Sequence, residues 1–161
     1  ATGDPFVASG RPPATRHGVS GLYLMLDQMV HREAGPGVQG LIPFVALLVA
    51  PNEDVSRMPL FANGGIVYQG PIPGRDRDTA AAPVVYGGWS RELRDTQRAR
   101  RALDAGARGP QKYEVVLEWT YTVAVTSWLN VQPDVQYVIR PGARGDAPNA
   151  LVLGTEIAVS F

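Results

Sequence analysis

Carboxylates and guanidiniums recur at positions of one parity in several long extended stretches. Glu114 and Glu118 share one stretch, Asp134 and Glu156 sit in the next two, Asp27 lies in the first, and Arg91 and Arg140 stand at stretch ends. Side chains two apart on a strand share a face, so these groups are set to line one surface. Glu114 and Glu118 would stand about 13 Å apart at strand rise, beyond the reach of a hydrolytic carboxylate pair. His17 and His31 have no partner at ligand spacing, and the absence of cysteine excludes thiolate metal sites and disulfides. There is no Ser/His/Asp set, no phosphate-cradling glycine loop and no dinucleotide fingerprint. The residues therefore predict no enzyme, no cofactor and no metal. What the spacing permits is hydrogen bonding and charge pairing across neighbouring strands.

The elements that must hold these residues are strands. From about residue 18, extended segments recur and are separated by Pro/Gly/Asn/Asp clusters. Seven are expected: 19–32, 39–50, 60–69, 82–90, 113–126, 131–140 and 150–161. One helix is expected over 91–105, closed by Gly106, as a helical external loop near 91–106. Residues 1–17 read as a polar loop, and 18–161 as a single domain. In the last three strands one face carries Tyr113, Val115, Leu117, Trp119, Tyr121 and Val123, then Val131, Val135, Tyr137 and Ile139, then Leu151, Leu153, Ile157 and Val159.

Length distinguishes the two architectures that alternate in this way. Strands of soluble proteins average about 5–6 residues, whereas a tilted strand crossing a bilayer needs about 9–11. The segments here are of the longer kind, which predicts an antiparallel transmembrane β-barrel. The mean hydropathy of −0.07 is compatible, because a barrel strand is apolar on one face only. The longest apolar run, Leu41 to Ala50, contains Pro43 and falls far short of the ~20 residues of a spanning helix. The opening ATGDPF has neither the basic region nor the apolar core of an export signal, so any signal is expected upstream.

The end of the chain is specific. Terminal Phe161 shares a face with Val159 and Ile157, and Gly154 lies seven residues back. This pattern resembles the signal by which the barrel assembly machinery recognises outer-membrane barrels, an edge strand whose open backbone can pair with a template. Further back, GLYLMLDQMVHRE, FANGGIVYQGPIPGR, YEVVLEWTYTVAVTSWLNVQPDVQYVIRPG and NALVLGTEIAVSF together resemble the C-terminal part of the carbohydrate-selective porins of the OprB type. The resemblance covers the chain from about residue 18 to its end. It implies a barrel of about sixteen strands with a water-filled lumen, of which this chain supplies about seven, and passive diffusion of sugars such as glucose. Apolar Ala46 and Leu48 on the expected lumen face depart from the family's pattern.

Under that resemblance Asp27, Arg91, Glu114, Glu118, Asp134, Arg140 and Glu156 become the expected lumen-facing sugar path, exchanging hydroxyl hydrogen bonds with water. The plainer reading of the same residues is a polar wall pairing with itself. Trp119, Tyr121, Trp128, Tyr137 and Phe161 are expected in an aromatic girdle. The expected location is the bacterial outer membrane with a periplasmic C-terminus. Small sugars, outer-membrane lipid and lipopolysaccharide, the assembly machinery and further copies of the chain are the expected partners. Arg91, Arg94, Arg98 and Arg101 fall on one helix face, but net charge is +0 and no aromatic residues interleave them, which argues against nucleic acid. Arg75-Asp76-Arg77-Asp78 reads as a solvated turn, and Arg144-Gly145-Asp146 as a chance tripeptide in a Pro/Gly-rich loop. Two other functions fit the same residues: a structural or adhesive outer-membrane barrel without a selective pore, and a soluble carbohydrate-binding β-sandwich whose alternation marks a buried core.

Overall fold

The computed structural model describes residues 18–35 and 37–161; the polar loop expected over 1–17 lies outside them. The strands are β1 (Leu22–Asp27), β2 (His31–Arg32), β3 (Gly40–Val49), β4 (Leu60–Gln69) and β5 (Thr79–Gly88), followed by β6 (Tyr113–Ala124), β7 (Leu129–Ile139) and β8 (Ala150–Val159). One helix, α1 (Arg91–Leu103), interrupts them between β5 and β6, and a short 3-10 turn spans Pro141–Ala143. The strands form one antiparallel sheet in the order β1-β3-β4-β5-β6-β7-β8, with β2 also on β3. From β3 onward every strand has at least 10 residues, long enough to cross a bilayer at a tilt. Among the described residues β1 and β8 are the edges and do not pair with each other.

The register makes the two faces continuous. Val84 opposes Leu117, Leu117 opposes Tyr137, and Tyr137 opposes Leu151, so the apolar row runs unbroken across four strands. This row is exposed: Leu117, Trp119, Val135, Leu151, Leu153 and Ile157 all face outward. Among the described hydrophobic residues only Ala50 and Ala143 are buried. A soluble sandwich stacks two sheets over a shared core. Among the described residues this single sheet has no second sheet over its apolar face, which runs against the sandwich expectation.

Three prolines set the irregularities. Proline lacks the N–H that a ladder requires, so a strand containing one can bond fully to only one neighbour at that point. Pro83 pairs with Gly65 while the β5–β6 pairing lapses between Ala81 and Val84. Pro133 pairs with Thr155 while the β6–β7 pairing lapses between Thr120 and Val123. Opposite Pro43, the single strand expected over 19–32 breaks into β1 and β2. Asp27 opposes Phe44, but His31 opposes Leu41, so β1–β2 has one extra residue there, a β-bulge.

The connections segregate to two ends of the sheet. Residues 50–59, 89–112 and 140–149 share the end with α1; 70–78, 125–128 and the C-terminus share the other. Their lengths do not alternate cleanly, because 70–78 is nearly as long as 50–59. β6 stops at Ala124 rather than residue 126 because Thr126 becomes a turn residue, its Oγ1 accepting from the N–H groups of Trp128 and Leu129. The helix ends at Leu103, where the N–H of the cap residue Asp104 reaches Arg100 O and the Asp104 carboxylate takes Gly106 N–H.

Candidate functional site

On β6, β7 and β8 the face opposite the apolar row is polar. Glu118 opposes Gln136, Thr120 opposes Asp134, and Asp134 opposes Gly154. Gln132 stands beside Glu156. Gln136 Nε2 donates to Glu118 at 3.4 Å, and Thr122 Oγ1 donates to Gln132 at 2.6 Å. The ladder holds three carboxylates and no cation. Gly154 has a local reason: a Cβ there would lie 2.3 Å from Asp134 Oδ1, so the carboxylate lies over the glycine. Gly154 therefore makes room on the polar wall, whatever part it has in an assembly signal.

The other expected site residues divide. Glu114, at the α1 end of β6, accepts from Gly142 N–H, which ties the wall to the 140–149 connection. Asp27 lies on the same face at the far edge, on β1. Arg91 is not on a strand; it opens α1, and its backbone N–H donates to Glu53 at 2.7 Å. Arg140 departs from expectation. It adopts a left-handed backbone (φ 60), and its guanidinium lies 4.6 Å from the centre of the Tyr113 ring. Tyr113 belongs to the apolar row and stacks on Tyr86, so Arg140 lies against the apolar row rather than the polar wall. Strand parity failed here because the turn begins one residue before the 3-10 segment. Between β3 and β5 the polar face itself gives out, with Ile42, Phe44, Ala46, Leu48, Val67 and Val85 on it. The departure noted at Ala46 and Leu48 thus extends over three strands.

Two groupings were not anticipated. At the C-terminal end, Arg75, Asp76 and Arg77 are exposed as a solvated turn would be, but Asp78 departs from that reading at 1% exposed. The Arg75 guanidinium grips its carboxylate, while Tyr121 Oη (2.8 Å) and Ala124 N–H (2.9 Å) also donate to it. The Arg75 hydrogen bond, together with these two donors, outweighs burial and holds the carboxyl at about 2. Arg77 adds a bond to Thr126 O. The turn before β5 is thereby fastened to the end of β6. Sequence spacing offered a clue only in that Arg75 and Asp78 are three apart.

At the other end the three connections are stitched together. Ser90, 2% exposed, caps α1 by accepting from Leu93 N–H, and its own N–H donates to Arg57 O. Trp89 N–H reaches Lys112 O, and Lys112 N–H reaches Ala143 O. Gln97 and Gln111 exchange two bonds, and Gln111 Nε2 continues to Gly142 O. Between the 50–59 and 89–112 connections lies a cavity of about 480 Å³ lined by Arg57, Trp89, Leu93, Thr96, Gln97, Arg100 and Gln111. The Trp89 ring packs against the polar-face side of Gly87, 3.3 Å from where a Cβ would stand, beside Met58. Hydrogen bonding, charge and an aromatic face are what these ends offer; no nucleophile–base pair is assembled in either.

The chain is similar in sequence and fold to known proteins. Residues 1–161 match the family described as Carbohydrate-selective porin, OprB family. Porin B of Pseudomonas aeruginosa is 27% identical over 170 residues, covering 99% of this chain and 36% of that protein. The high-pH structure of Pseudomonas putida OprB superposes with a TM-score of 0.82 at 26% identity, covering 88% of this chain and 35% of that one. The chain thus spans about a third of the length of these relatives.

Proposed function

This chain belongs to the OprB family of carbohydrate-selective porins, and from that premise we propose that it forms part of the wall of a water-filled outer-membrane channel through which sugars such as glucose diffuse passively. The observation that carries the reading is the two-faced single sheet. Its apolar row is exposed and uncovered, and its opposite face on β6–β8 carries a carboxylate–amide ladder. Unpaired backbone at β1 and β8 is not viable in hydrocarbon, so further strands of the same barrel complete both edges. The apolar row faces lipid, with Trp119, Trp128, Tyr137 and Phe161 exposed along it and at the strand ends.

On this reading Glu114, Glu118, Asp134 and Glu156 face the lumen, where carboxylates accept from sugar hydroxyls as water leaves. The α1 end faces outward and the C-terminus faces the periplasm. Gly154, Ile157, Val159 and Phe161 present the final strand to the assembly machinery. Outer-membrane lipid and lipopolysaccharide surround the girdle, and several copies of the porin associate. Swelling of liposomes carrying the full-length protein, in sugars of increasing size, tests the pore; absence of swelling with every sugar overturns it. Orientation is testable because the chain has no cysteine. Arg98→Cys in α1 should react with an impermeant maleimide in intact cells, and Arg77→Cys should not; the reverse pattern inverts the topology.

A further inference from the structure

We propose that the cavity under α1 is a saccharide subsite at the channel mouth, selective for monosaccharides that carry a carboxylate. The proposal rests on the porin reading only for its location, at one end of the polar face. The cavity, at about 480 Å³, falls in the ~300–1,000 Å³ range of small-molecule sites. Its wall combines the two chemistries a sugar acid requires. Trp89 supplies a flat apolar surface for the C–H face of a pyranose, and one edge of its ring packs over Gly87. Arg57 and Arg100 are among its lining residues, and a guanidinium is the side-chain group best shaped to hold a carboxylate. No carboxylate lines the cavity. Three acids of this end, Glu53, Asp54 and Glu92, line an adjoining hollow of about 210 Å³, which shares Arg57, Leu93 and Thr96 with the cavity. The Gln97–Gln111 exchange leaves those amides already oriented before any ligand arrives. The walls come from two connections, 50–59 and 89–112, joined by Ser90–Arg57, and Gln111–Gly142 ties them to the third, so little ordering is required on binding. The face just beyond Gly87 belongs to the same side of the sheet as Glu118, Asp134 and Glu156. A site of opposite charge therefore stands at the entrance to an acidic wall.

The test uses the full-length porin in planar bilayers, with sodium glucuronate, glucose and inorganic phosphate titrated against single-channel current. Glucuronate should block at a concentration about tenfold below glucose, one charge-assisted contact's worth, and phosphate should block no better than glucose. Arg100→Ala, on a helix with no buried residues, should remove the preference for glucuronate with conductance retained. Trp89→Ala should weaken glucuronate about tenfold, and Trp89→Tyr should restore much of it. Raising salt from about 0.1 to 1 M should weaken glucuronate and leave glucose unchanged. Equal block by glucuronate and glucose, or an Arg100→Ala profile matching the wild type, overturns the proposal. Phosphate blocking as strongly as glucuronate reduces the cavity to an anion site and overturns the saccharide part. In each case a protein that still swells liposomes in sugars leaves the porin reading intact.

Discussion

Replacing Asp78 by Asn removes a buried charge and keeps its shape. The carboxyl stands at about 2 in the folded chain against 3.8 for the free side chain. At ~1.4 kcal/mol per unit this difference corresponds to roughly 2–3 kcal/mol at neutral pH. Arg75 is 44% exposed and regains water when the pair is broken, which lowers the expectation to about 2 kcal/mol. The sign follows from the direction of the shift. A depressed folded-state value gives stability that is fully present above 3.8 and is lost as pH falls toward 2. The assay is equilibrium unfolding of the full-length porin and its Asp78→Asn variant in lipid vesicles, read at two pH values. At pH 7 the variant should be less stable by about 2 kcal/mol; near pH 2.5, close to the folded-state value, the gap should narrow to about a third of that. Using the difference between the two proteins cancels every other carboxylate. Equal stability at pH 7, or a gap that stays constant on acidification, refutes the claim that this buried carboxylate fastens the 70–78 turn to β6.

Three further expectations follow from the geometry. Gly154→Ala should push the Asp134 carboxylate aside and cost about 1 kcal/mol; Asp134→Ala should relieve it, so a double-mutant cycle reporting no coupling contradicts the packing. Ser90→Ala should cost about 1 kcal/mol by uncapping α1, visible as faster amide exchange over the first turn of the helix; unchanged protection there contradicts the capping. Glu118→Gln combined with Asp134→Asn should shift the full-length channel's reversal potential in a salt gradient toward anions, since both carboxylates lie on the polar wall; an unmoved potential places that wall outside the conduction path.

Much of this molecule was written in its period. Alternation from Tyr113 to Val159 assigned each side chain of β6–β8 to a face, and the register kept those assignments because a strand's side-chain period is two. Strand length pointed to a membrane, and the resemblance around WLNVQPDVQYVIRPG pointed to the porin family. Prolines were legible as residues but not as ladder gaps, since which neighbour loses the bond depends on which side the missing N–H would have faced. Arg140 was misplaced because parity holds only while the backbone stays extended, and a left-handed residue at the strand end redirects its side chain.

The groupings that matter most at the two ends came from contacts far apart in the chain. Asp78 meets Tyr121 and Ala124, and Arg57 meets Trp89 and Arg100 around one cavity. No local pattern encodes such pairs: each depends on how antiparallel strands return distant loops to the same end of the sheet. The sequence by itself determined which face of each strand is apolar, because that is a property of every second residue. Only the tertiary structure decided that Asp78 would be buried and that a tryptophan and two arginines would share one cavity, because connections of different lengths had first to be folded against one another.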